Sequence, residues 1–288
     1  MWIQLLIGCQ GGSDGPSDGN GDSGAEVQVD RGPTEIALDG DPNGLWWDAA
    51  SGTLYIADDN GNRVLKWTDA DGLGLVGSFP KPDDLGLGQL VLKDDRLYVT
   101  RFGYGTAGDI AWLTVDGTQS GVVDGLDVSR KRIGLTVTSD GRLVDGWFST
   151  TGAVSEVDLD GGGETELLEG LGKPVGVLDV DGTMFVSDQA AGQILTVANT
   201  GGSPSVFATM DYPDLLSAGP NASLFTGSGD GGAYQIASDG SVSVFVTGPP
   251  ETRGVAYDAD DGRLFFARHD PDESDGVDHA LEIVPVDP

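Results

Sequence analysis

Apolar runs recur along this chain at a nearly fixed spacing. The segment PNGLWWDAASGTLYIADD (42–59) is an apolar run, a turn of small polar residues and a second apolar run. The same order returns in GQLVLKDDRLYVTRF (88–102), IGLTVTSDGRLVDGW (133–147), VGVLDVDGTMFVSDQ (175–189), LLSAGPNASLFTGSG (215–229) and RGVAYDADDGRLFFARH (253–269). Equivalent positions in the second runs are Tyr55, Tyr98, Val144, Phe185, Phe225 and Phe265, at intervals of 43, 46, 41, 40 and 40 residues. Each copy continues with two more short apolar runs, such as RVLKW (63–67) and LGLVGSF (73–79), or QILTV (193–197) and SVFA (205–208). Runs such as LYIA and LFFA are apolar at consecutive positions, as strands covered on both faces are. The chain holds 14 Asp-Gly pairs, a dipeptide that fits tight hairpins because it tolerates positive φ at both central positions.

Four short strands in each repeat, joined by Asp-Gly turns, predict an all-β fold: a six-bladed β-propeller with four antiparallel strands per blade. The sixth copy runs out of chain after ALEIVPV (280–286), while TEIAL (34–38) precedes the first copy and belongs to none. Pairing the two supplies the missing strand and removes two free sheet edges. The propeller is therefore expected to span residues 33–288.

The opening residues MWIQLLIGC form a segment (1–9) ending in Leu6-Ile7-Gly8-Cys9, which resembles a bacterial lipobox. Cys9 is the single cysteine, so an internal disulfide is excluded. Residues 10–32 begin QGGSDGPSDGNGDSG and read as a flexible Gly/Ser/Asp tether. These features predict lipidation of Cys9 and an extracytoplasmic bacterial lipoprotein of the outer membrane or cell surface, touching membrane only through that anchor.

Charge narrows the partners. Lys and Arg number 15 against 47 Asp and Glu, a formal net charge of −32. Phosphate binding needs a basic footprint, so nucleic acid is disfavoured. Mutual repulsion of such a surface favours a soluble monomer.

The stretch PNGLWW…GTLYIADDNGNRVLKW (42–67) resembles the senescence-marker-protein and gluconolactonase family, and more loosely NHL repeats. The resemblance covers all repeats as architecture and is motif-level in the first. It implies a calcium-dependent lactonase or esterase with the metal on the propeller axis, held by acidic or amide residues at the starts of several innermost strands. Carried over to this sequence, the ligands are Asn43, from Pro-Asn-Gly-Leu, and Asp214, from Tyr-Pro-Asp with Leu215 in place of the family's Gly. The corresponding positions elsewhere hold Leu87, Arg132 or Ile133, Val175 and Arg253, so the expected glutamate and second asparagine are missing.

Sorting the basic residues by loop gives a second reading. Lys81, Arg130, Lys131, Arg132, Lys173 and Arg253 fall in loops between blades, on the face shared with Arg63, Arg101 and Arg268. A cationic mouth on an acidic protein would focus an anion, small or polymeric, with Arg253, Arg132, Lys173 and Asn43 binding it. Local pairing with nearby carboxylates is the alternative. Three functions follow: a non-enzymatic binder of an anionic ligand; a calcium-dependent hydrolase, with His269 as proton acceptor; and a protein-interaction scaffold. The acidic loop DPDESDGVDH (270–279) fails the register of a twelve-residue calcium loop because Pro271 occupies its first position.

Overall fold

The computed structural model describes residues 34–59, 61–80, 85–103, 108–247, 251–269 and 279–286. Cys9, the tether, Lys81 and the acidic loop 270–278 lie outside the described residues. Among the described residues, helix is confined to one 3-10 turn, Pro220–Ala222.

The chain opens with β1 (Thr34–Ala37) and then forms antiparallel meanders. The first is β2 (Pro42–Asp48), β3 (Thr53–Asp58), β4 (Arg63–Thr68) and β5 (Gly72–Ser78). The second is β6 (Leu85–Lys93), β7 (Arg96–Gly103), β8 (Asp109–Thr114) and β9 (Ser120–Val122). The third is β10 (Lys131–Val137), β11 (Leu143–Phe148), β12 (Gly152–Val157) and β13 (Glu164–Leu171). The fourth is β14 (Pro174–Val180), β15 (Thr183–Asp188), β16 (Gln193–Ala198) and β17 (Ser205–Thr209). Next come β18 (Pro213–Ala218), β19 (Leu224–Ser228), β20 (Ala233–Ile236) and β21 (Val242–Val246), followed by β22 (Glu251–Asp258), β23 (Arg263–His269) and β24 (Ala280–Pro285). These seven strands and β1 join into one eight-stranded sheet, in which β19 meets β22 through the single pair Ser228↔Thr252. The architecture is an all-β propeller.

β1 pairs antiparallel with β24, with Thr34 opposite Ile283 and Ala37 opposite Ala280. The first strands of the meanders pack in a closed circuit: β2 on β6, β6 on β10, β10 on β14, β14 on β18, β18 on β22, and β22 back on β2. Glycine makes that approach possible. A Cβ on Gly254 would lie 2.0 Å from Asn43 O, and one on Gly44 would lie 2.5 Å from Gly88 O.

Five of the six buried apolar clusters fill the space between consecutive sheets, and the sixth packs β19 and β20 against β22–β24 within the eight-stranded sheet. At the closure, Leu45, Leu54, Ile56 and Trp67 pack with Phe265, Leu281, Ile283 and Leu38. There Trp47 stacks on Phe265 with ring centroids 5.2 Å apart. Strands covered by neighbours on both faces need apolar residues at consecutive positions, and Thr53–Asp58 is buried throughout.

Two further rules position the functional face. First, every innermost strand slips register against its partner near its start: between Pro42 and Leu45, Leu87 and Leu90, Arg132 and Gly134, Pro174 and Gly176, Pro213 and Leu216, and Thr252 and Val255. A bulge bends the strand and re-aims side chains away from the regular ladder. Asn43, Asp214 and Arg253 all sit inside these bulges. Second, in the first and fourth meanders the Asp that ends the second strand holds the loop arriving from the preceding blade. Asp58 accepts from Asp41 N at 2.9 Å and Gly61 N at 3.1 Å. Asp188 accepts from Gly172 N at 2.9 Å and Lys173 N at 2.8 Å. The Asp that ends the Leu-Tyr-x-x-Asp pattern is therefore a brace for the loop.

Candidate functional site at the ends of the innermost strands

The site starts from Asp214, in the bulge of β18. Its residue is 9% exposed. Its Oδ2 accepts from Gln189 Nε2 at 3.4 Å, and Lys173 Nζ donates to Gln189 Oε1 at 2.5 Å. Burial pushes the Asp214 carboxyl above the ordinary carboxylate range; the charges of Arg253 and Lys173 pull it down, and that of Glu251 pushes it up. Lys173 precedes β14 and Arg253 lies in β22, so cations from both sides converge on one carboxyl.

Arg253 Nη2 donates to Glu251 Oε2 at 3.4 Å. The same oxygen lies 3.8 Å from His269 Nε2. The register that sets Glu251 opposite His269 across β22 and β23 produces this contact. On its other side, His269 Nδ1 meets Asp41 Oδ1. His279 follows: its Nδ1 lies 4.0 Å from the same Asp41 oxygen, and its ring stacks on His269 at 5.2 Å. The mouth thus has two halves with Glu251 between them. One gathers Lys173, Gln189, Asp214 and Arg253; the other gathers Asp41, His269 and His279.

Several expected site residues sit differently. Arg132 is fully buried and belongs to no open mouth. Its guanidinium pairs with Asp145 and Glu164 and donates to Asp127 O at 3.0 Å. Burial pushes both carboxyls up, against the pull of Arg132. The cause is the bulge at Arg132/Gly134, where Arg132 falls opposite Trp147 in the ladder and inside the sheet stack. Arg63, Arg101, Arg130 and Arg268 are likewise engaged by carboxylates: Arg63 by Asp58 at 2.5 Å, Arg101 by Asp109 at 2.5 Å, Arg130 by Glu166 at 2.6 Å, and Arg268 by Glu282 at 2.8 Å. Of the described cations expected on this face, Lys173 and Arg253 are those whose charge acts on Asp214. His269 meets Asp41 through Nδ1, while Glu251 stands 3.8 Å from its Nε2, beyond hydrogen-bond reach.

The calcium pair implied by the family resemblance does not fit. Asn43 is buried and donates its Nδ2 to Leu87 O at 2.8 Å, fixing its amide on the neighbouring strand. Asp214 faces two cations and accepts from an amide. Calcium takes six to eight oxygen ligands, and this pair offers one amide oxygen and one carboxylate that two cations already oppose.

Neither a family model nor a curated protein sequence matches the chain. Solved structures do. A luciferin-regenerating enzyme superposes with a TM-score of 0.70 at 16% identity, over 88% of this chain and 95% of its own. A gluconolactonase from Xanthomonas campestris gives 0.68 at 19% identity, over 86% of each chain. The calcium-binding protein regucalcin from Agrobacterium tumefaciens gives 0.67 at 16% identity, over 88% of this chain and 94% of its own. The structural neighbours are thus the gluconolactonase and regucalcin propellers that the Pro-Asn-Gly-Leu blade resembles, and the shared property is the fold.

Proposed function

We propose that the chain is a six-bladed propeller hydrolase of the gluconolactonase type, acting on a lactone or related ester that carries anionic or polyhydroxylated groups. The eight-stranded sheet is read as two blades, β18–β21 and β22–β24 with β1, joined by one residue pair. The observation that carries the functional reading is Asp214: a buried carboxyl with a raised pKa, at a mouth, facing Lys173 and Arg253. A desolvated acid with specific charge partners in a cleft is a characteristic mark of acid–base chemistry. Asp214 in its ionised form takes a proton from the attacking water as its oxygen bonds the acyl carbon, and Arg253 and Lys173 hold the developing oxyanion or a substrate carboxylate. Collapse breaks the acyl C–O bond, the leaving oxygen taking the proton back from Asp214. The fold of the gluconolactonase neighbour supports the substrate class. Lipidation of Cys9, an extracytoplasmic location and a monomeric state complete the reading as proposals.

Hydrolysis of a panel of aldonolactones and simple esters, followed by proton release, tests the reaction. Asp214→Asn is expected to lower kcat about 100-fold or more, and Arg253→Ala to raise KM for anionic members of the panel most. A chain that binds sugar acids through Arg253 and Lys173 and hydrolyses nothing reduces the function to anionic-ligand binding.

A further inference from the structure

We propose that Asp41, His269 and His279 form a binding site for one first-row transition-metal ion of the zinc class. Each residue offers one ligand atom, and these atoms all lie within 4.8 Å of one another. Ligands bound about 2.0–2.2 Å from a common zinc ion stand roughly 3–4 Å apart, so small side-chain rotations bring the three onto one centre. Asp41 Oδ1 already faces the Nδ1 atoms of both imidazoles.

The backbone builds this arrangement from three separate elements. Asp41 is pinned at both ends of its peptide, its N–H to Asp58 Oδ1 at 2.9 Å and its carbonyl to Asp59 N at 2.8 Å. His269 ends β23 in register with Glu251. His279 enters β24 with its carbonyl accepting from Leu38 N at 3.0 Å, so the pairing of β1 with β24 delivers it.

The donor set chooses the ion. Two imidazoles and one carboxylate suit zinc, iron, cobalt or nickel, whereas calcium and magnesium take oxygen ligands. Glu251, 3.8 Å from His269 Nε2, adds negative charge at the rim. The three side chains are 10–12% exposed, so the site is enclosed yet reached from the mouth. Three protein ligands with an open fourth position characterise reactive rather than purely structural zinc sites. The inference goes beyond the hydrolase reading and is independent of it: a metal binds here whether or not Asp214 performs hydrolysis.

Zn²⁺ binding to the full-length chain, by calorimetry and by metal analysis after equilibrium dialysis, decides the matter. One equivalent is expected, with Co²⁺ giving visible d–d absorption at the same stoichiometry and a hundredfold excess of Ca²⁺ failing to displace Zn²⁺. His269→Ala, His279→Ala and Asp41→Asn are each expected to weaken Zn²⁺ at least 10-fold. Asp214→Asn, outside the cluster, is expected to bind as the wild type does. His279→Gln, checked for an unchanged circular dichroism spectrum, guards against loss of fold. Absence of stoichiometric Zn²⁺ in the wild type overturns the proposal. So does wild-type affinity in a folded His279→Gln or His269→Ala protein, which would assign the ion to surface carboxylates.

Discussion

Glu251 Oε2 lies 3.8 Å from His269 Nε2 and reaches Arg253 Nη2 at 3.4 Å with the same oxygen. One carboxylate therefore links the cationic half of the mouth to the imidazole half. It also acts on Asp214, whose pKa its negative charge helps to raise.

Replacing Glu251 by Gln tests that link. The guanidinium of Arg253 loses its carboxylate partner and becomes available to an incoming anion. Binding of a sugar acid, measured by calorimetry, is expected to tighten about 3–10-fold, in line with about 1 kcal/mol for a partly exposed ion pair. The pH at which Asp214 loses its proton is expected to move down. Weaker anion binding in Glu251→Gln would mean that Glu251 itself contacts the ligand.

Asp214 makes the pH dependence directional. Its folded-state pKa stands above the unfolded value, chiefly through burial. The proton therefore stabilises the folded chain at low pH, and that contribution is lost as pH rises through the folded pKa. Asp214→Asn removes the effect. The variant is expected to be more stable than the wild type at pH 7 and to lose that advantage near pH 3, as thermal melts at both pH values would report. Under the proposed hydrolase reading, the acid limb of kcat/KM is expected above the usual Asp range, and Arg253→Ala is expected to shift it higher by removing an opposing cation.

The buried trio of Arg132, Asp145 and Glu164 belongs to stability. Arg132 and Asp145 are fully buried, so removing the guanidinium leaves an uncompensated carboxylate inside the protein. Arg132→Met is expected to cost about 3–5 kcal/mol at pH 7. The loss shrinks as pH falls through the raised Asp145 pKa, where the lone carboxyl takes a proton. Sugar-acid binding by the folded fraction is expected to match wild type. A ligand-binding defect with unchanged stability would return Arg132 to the mouth.

Much of this was legible in the repeat. Tyr55 through Phe265 recur because each second strand must be apolar on both faces, and TEIAL was assignable to the last sheet because an unpaired edge strand is costly. The bulges were not legible. A one-residue slip decides whether a strand-start side chain faces the mouth, as Arg253 does, or the interior, as Arg132 does, and the local sequences KRIG and TRGV do not announce the difference. The Asp41–His269–His279 cluster was within reach. Pairing 34–38 with 280–286 already brings Leu38 beside His279, and so Asp41 close to both histidines, but neither histidine's local sequence announces a carboxylate partner across the closure.

The closure itself is the last prediction. β22 returns to β2 where Gly254 packs against the backbone of Asn43; an added Cβ would lie 2.0 Å from Asn43 O and 3.0 Å from Leu45 Cγ. Neither neighbour yields easily, since one is backbone and the other is 1% exposed in the closure core. Gly254→Ala is therefore expected to cost at least about 2 kcal/mol, the upper part of the range for overpacking. Gly52→Ala is the comparison: its Cβ would meet nothing within 4 Å, but its φ of 63° penalises a side chain, so about 1 kcal/mol is expected. Because Gly254 adjoins Arg253, and its contact partner Asn43 lies close to Asp41, a forced separation of β22 from β2 pulls the halves of the mouth apart. Gly254→Ala is thus expected to weaken both sugar-acid binding and Zn²⁺ binding, whereas Gly52→Ala lowers stability alone. Equal melting temperatures and equal ligand responses in the two variants would show that the ring closes without the tight contact between Gly254 and Asn43.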